Sequence, residues 1–228
     1  MLTHEQVKTH WWRVALVVAA VGVAAFARHD PFAGLSGLVP ILVWCGGPVR
    51  SRRTGIVVGV VLLVLLAWFV VPRELGLAGP WVPAAIEVYW LHTTLAVAVC
   101  AIGGRRPSGR HVALVVAGFV VTGGVLFSEW ETPPGDEGVS PGPAQLRVTE
   151  STACGSGGCW RELEATGDRA PEVMAEYLLA RNFTPVTSHP TIGDPQFCRT
   201  TGLVVTHRLC AGIVPLTANS VRVMVIVV

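Results

Sequence analysis

Residues 55–71 read GIVVGVVLLVLLAWFVV. This run carries no charge and has the length, roughly 17–25 residues, that crosses a bilayer as a helix. Its many β-branched residues would favour a strand in water, but in hydrocarbon only a helix satisfies the backbone within one segment. Four more apolar stretches flank it, at Trp12–Ala27, Pro31–Gly47, Val82–Gly103 and His111–Phe127. Five such runs with short connections are too many for the buried helices of a soluble core this small. The expected fold is a membrane all-α bundle of five transmembrane helices, covering residues 1–127.

Composition agrees with that reading. The 228 residues are 51% hydrophobic and only 14% charged, with mean hydropathy +0.55. Typical soluble domains are about 25% charged. A disordered chain is excluded, and a net charge of +2 excludes a nucleic-acid binder built on a basic face. The charge is unevenly placed: residues 1–127 hold ten Lys or Arg against four acids, and residues 128–228 hold seven against eleven. Such a split points to two regions in different surroundings.

Basic residues orient the spans. Lys8, Arg13, Arg50, Arg52, Arg53, Arg105, Arg106 and Arg110 fall on one side, against Arg28 and Arg73 on the other. The expected location is the cell membrane, multi-pass, with the N-terminus cytoplasmic and the region after residue 128 extracytoplasmic. Trp11, Trp12, Trp81, Trp90 and Trp130 fall near span edges, where aromatic belts form. Residues 1–27 also read as a signal peptide, with Val14–Ala24 as the apolar part and Ala25-Phe26-Ala27 as the cleavage motif. That alternative leaves four spans and the same outer side.

Residues 128–144 form a linker containing ETPPGDEGVSPGPA, whose Pro and Gly interrupt helix and strand alike. Residues 145–228 suffice for one small extracytoplasmic α+β domain, expected as an antiparallel sheet with one helix. Strands are expected at Gln145–Thr152, Cys159–Ala165, Leu203–Ile213 and Val221–Val228, a helix at Pro171–Arg181, and irregular chain at Thr184–Phe197.

Cys154, Cys159, Cys198 and Cys210 lie in that outer domain. An even number of cysteines in a small oxidised domain points to disulfides. Three pairings are open, and Cys154–Cys159 with Cys198–Cys210 is preferred, as a hairpin staple and a tie between neighbouring strand segments. A four-cysteine zinc site does not suit the C-x4-C and C-x11-C spacings, and a redox pair would more usually read C-x-x-C. Cys45 and Cys100, inside the spans, read as small apolar packing residues.

Glu87 and His92 are the intramembrane polar candidates, a functional-site signal by position. Glu87 is close enough to its span's start to reach the interface. On an α-helix the two lie ~140° apart and share no face. His92 reads as a neutral histidine hydrogen-bonded to another helix, against a proton relay or ion path.

Motifs for nucleophilic hydrolysis, zinc-dependent proteolysis and phosphate binding are missing from the sequence. Ser156 has no supporting His–Asp arrangement, and His189, Asp194 and His207 match no metal spacing. Glu162 and Glu164 read as a solvated strand face, and Asn182-Phe183-Thr184 fits the glycosylation pattern. No cofactor or metal is expected. Partners are the lipid bilayer and a protein or cell-envelope component that the outer domain binds, without nucleic acid. The expected function is a multipass membrane protein presenting a small extracytoplasmic binding or assembly domain, not an enzyme. The alternative is a membrane thiol–disulfide oxidoreductase, and a transporter ranks third because the spans lack charged lining. Abundant Ala, Val, Gly, Arg and Pro fit a GC-rich bacterial genome. The segment Cys154–Arg161, CGSGGCWR, resembles segments of uncharacterised actinobacterial membrane proteins, a resemblance that implies no activity.

Overall fold

The computed structural model describes residues 4–27, 30–103, 109–129, 138–155, 158–186 and 195–228, without the side chains of residues 4–10 and 129. The chain forms two compact units: Met1–Glu74 with Ala85–Gly124, and Leu75–Ala84 with Val125–Val228.

The first unit is helical. Its elements are α1 (His4–Ala25), α2 (Pro31–Gly46), α3 (Arg52–Glu74), the short α4 (Ala85–Glu87), a π-helical turn (Val88–His92), α5 (Thr93–Gly103) and α6 (Gly109–Glu129). Among the described residues six α-helices therefore precede the sheet, not five. The fourth apolar stretch is divided because a π turn interrupts it. Three helical segments are long and apolar enough to cross a membrane: Arg52–Glu74, Ala85–Gly103 and Gly109–Ser128. The apolar helices at Trp11–Ala25 and Pro31–Gly46 are shorter. At ~1.5 Å per residue, the 16 residues of α2 fall short of a ~30 Å hydrocarbon core.

Small residues let these helices approach closely. Gly55 and Gly59 of α3 lie four apart on one face. A Cβ at Gly55 would meet the Trp12 ring, and one at Gly59 would collide with Leu16. Trp12, Leu16, Leu62, Leu66 and Ile41 belong to one buried cluster, held by close van der Waals packing. The Trp44 indole donates to Gly55 O at 3.1 Å, giving its buried N–H a partner.

The second unit is a six-stranded antiparallel sheet, in the order β1-β2-β6-β5-β4-β3, with one helix. Its elements are β1 (Arg147–Gly155), β2 (Gly158–Thr166), α7 (Ala170–Ala180), β3 (Thr184–Val186), β4 (Gln196–Thr201), β5 (His207–Thr217) and β6 (Ser220–Val227). The strand period of two sorts its faces. Leu163 opposes Val223 and Ala165 opposes Val221, while Ala211 opposes Val225. These residues share one buried cluster with Met174 and Leu178 of α7.

Two details differ from the sequence expectation. Thr184–Val186 and Gln196–Thr201 are strands, not irregular chain. β3 is an edge strand, where Pro185 is tolerated because one side of the strand needs no ladder donor. β5 begins at His207, since Gly202 turns the chain with φ +124° and a Cβ there would run into Val205 O.

Residues 75–84, the connection between α3 and α4, belong to this sheet unit. Gly79 N–H donates to Thr200 O at 2.9 Å and Gly202 N–H to Val82 O at 2.7 Å. The Asn182 side-chain amide donates to Gly76 O at 2.9 Å. Val82 and Ala84 are fully buried.

Candidate functional site

Two groups of residues have the character of a site: a polar cluster on the π turn of the helical unit, and the bridged cysteines of the sheet unit.

A π turn closes with i→i+5 bonds and is often found at functional positions in helices. It widens the helix, so residues five apart lie nearly above one another. Glu87 precedes this turn and His92 ends it. The α-helical spacing that separates the two side chains by ~140° therefore does not hold across it. Both residues are 0% exposed in the folded chain. The broken ladder is completed from within: the Thr93 and Thr94 hydroxyls donate to Tyr89 O and Trp90 O, each at 2.6 Å. A Cβ at Gly118 of α6 would come within 2.5 Å of Tyr89 O, so glycine is what allows α6 to pass there.

Neither ring nitrogen of His92 has a hydrogen-bond partner among the described residues. Among the described residues the expected bond to another helix is not formed. Phe69 meets the imidazole edge-on at 5.3 Å, and the nearby backbone of α2 at Gly37 is backed by Leu66.

A second polar group lies beside this turn. Asp30 caps α2, accepting from Ala33 N–H at 2.9 Å. Tyr89 donates its hydroxyl to the Asp30 carboxylate at 3.3 Å, and an Arg73 guanidinium nitrogen lies 3.8 Å from it. The charges suit their helices: an acid at the start of α2 and a base in the last turn of α3 each complement the helix dipole. An aspartate before a helix-starting proline was a readable cap signal. The contacts to Tyr89 and Arg73, 59 and 43 positions away, had no sequence signal. The group joins the start of α2, the end of α3 and the π turn.

In the sheet unit Cys154 is bonded to Cys159, and Cys198 to Cys210. Both bridges join residues directly opposite in antiparallel ladders, Cys154 across from Cys159 on β1–β2 and Cys198 across from Cys210 on β4–β5. Their surroundings differ. Cys198 and Cys210 are buried, whereas Cys154 is exposed at the hairpin end. Cys45 and Cys100 are free and buried in the helical unit.

His189, Asp194 and Ser156 lie outside the described residues. Glu162 accepts from the Trp160 indole at 2.9 Å, and Glu164 is exposed on the next outward position. Among the described residues no three His, Cys, Asp or Glu side chains come together as a metal set would. Comparison with protein-family models, with curated proteins and with solved structures finds no match.

Proposed function

We propose that this chain is a multipass membrane protein that holds a small disulfide-closed sheet domain on the extracytoplasmic side, where the domain binds a protein or cell-envelope component. The observation that carries the reading is the division of the cysteines. All four bridged cysteines are in the sheet unit and both free ones are in the helical unit. Stable disulfides belong to oxidising compartments. Chain connectivity supports the same side assignment: the α3–α4 connection and the region after α6 are parts of one unit. On this reading both would share one side of the bilayer, opposite the connections that hold Arg50, Arg52, Arg53, Arg105 and Arg106.

Reporter fusions test the orientation. A reporter active only outside the cytoplasm should work after residue 135 and be silent after residue 108. The reverse pattern would refute the model. Capture of partners should use the whole chain in nanodiscs, because the sheet unit includes Leu75–Ala84. Turnover of a thiol substrate by one of the bridged pairs would instead establish the oxidoreductase reading.

A further inference from the structure

The two ends of the six-stranded sheet differ in chemistry. At one end lie the β5–β6 turn, Thr217–Ser220, and the chain leaving β2 through Gly167, Asp168 and Arg169. Among the described residues, Leu216 is the exposed large apolar side chain at that end. The opposite end gathers four separate parts of the chain. Register places them together: Thr201 opposes His207, Leu209 opposes Val227, Arg161 opposes Val225, and Gly155 opposes Gly158. The β4–β5 connection, the end of β6 and the tip of the β1–β2 hairpin therefore share this end. The fourth part is the segment 75–84, bound there through Gly79 to Thr200 and Val82 to Gly202.

These parts expose apolar side chains. Val204 is 66% exposed and Val205 47%, Val227 47% and Val228 64%, and Trp81 49%. Residues 151–160, which include the hairpin tip and Trp160, contain no charge. A single exposed valine is ordinary, but a rim of apolar side chains from separate segments marks an interaction surface.

We infer that this end of the sheet unit sits in the headgroup–acyl boundary of the bilayer, so that the domain is a peripheral lipid-binding module as well as a tethered one. The inference rests on the membrane reading proposed above. Chain continuity selects lipid over a protein partner. The segment bound at this end runs directly into α3 at Glu74 and into α4 at Ala85, both parts of helical segments long and apolar enough to cross a membrane. Trp81 suits the boundary, where an indole places an apolar ring and an N–H at headgroup level. Side chains of Val type at this depth are removed from water without a structured pocket, as in interfacial elements that enter ~5–10 Å.

Photo-crosslinking of the full chain tests this. The protein is reconstituted in vesicles of phosphatidylcholine and phosphatidylglycerol in equal parts, doped with a lipid carrying a diazirine on its acyl chain, and adducts are mapped by peptide mass spectrometry. Adducts are expected on 203–205 and 227–228 as well as on α3 and α6. Val204→Asp with Val205→Asp should lower adduct yield on the 203–205 peptide by roughly tenfold or more, with the Cys198–Cys210 bridge intact as the sign of a folded sheet. Adducts on the helices but none at the sheet end overturn the inference and leave the membrane reading standing. Adducts on neither overturn both. Crosslinks from 203–205 to a second copy of the chain in place of lipid also overturn it.

Discussion

At Gly202 the backbone takes φ +124°, and a Cβ would be driven into Val205 O, so no other residue fits without moving the turn. Gly202→Ala should destabilise the sheet unit by about 1–3 kcal/mol, as strained backbone positions do. Thermal unfolding of the full chain in nanodiscs, read by loss of bridge protection, checks it, and an unchanged midpoint would show that the turn adapts. His92 presents the opposite case. Among the described residues both of its ring nitrogens are buried without a hydrogen-bond partner. Leaving such a group unsatisfied costs about 1–3 kcal/mol, so His92→Leu should raise the stability of the helical unit by up to that amount. A fall in stability, measured by denaturant titration in bicelles, would mean that the imidazole has a partner outside the chain.

At the scale of elements, close helix contact depends on where glycine lies. A Cβ at Gly59 collides with Leu16, whereas one at Gly22 meets nothing within 4 Å. Gly59→Ala should therefore destabilise the α1–α3 pair by about 1–3 kcal/mol through overpacking, and Gly22→Ala should be neutral or slightly stabilising. Paired unfolding measurements decide this, and equal effects would remove the steric argument. The two bridges should also separate. Cys198 and Cys210 are buried and 12 positions apart, and Cys154 and Cys159 are 5 apart at an exposed hairpin end. A water-soluble phosphine should open Cys154–Cys159 first. Loss of Cys198–Cys210 should destabilise more, by about 3 kcal/mol in the loop-entropy account. Simultaneous reduction of both in folded protein would contradict the difference in access.

For the whole molecule, the sheet unit is discontinuous in sequence. Residues 75–84 bond to it through Gly79, Val82 and Gly76, though they lie between two helical segments. The amide hydrogens of Gly79 and Gly202 should thus exchange with solvent as slowly as those of β4 and β5, on the scale of sub-global opening. Fast exchange at Gly79 beside slow exchange in β5 would show that the segment is not part of the domain. A chain starting at residue 138 should still form both bridges but melt below the full protein, having lost the hydrogen bonds made with Gly76, Gly79 and Val82.

Hydrophobic run length and alternation are properties of neighbouring residues, and these were legible. The run at 55–71 reads as a helix without knowing its neighbours, and the alternating Val221, Val223 and Val225 read as one face of a strand. Composition likewise separated an apolar helical region from a polar, cysteine-bearing one. What depended on distant partners was hidden. The π turn at Val88–His92 exists in an otherwise apolar helix because Thr93 and Thr94 can return hydroxyls to its carbonyls and because Gly118 of α6 leaves room beside Tyr89 O. The strand at Thr184–Val186 exists because β4 is there to pair with it. The burial of His92 without a polar partner, the Asp30–Tyr89–Arg73 group and the capture of residues 75–84 by the sheet all join positions tens of residues apart. Local patterns record which surface each segment must bury, but only the folded chain decides which other segment buries it.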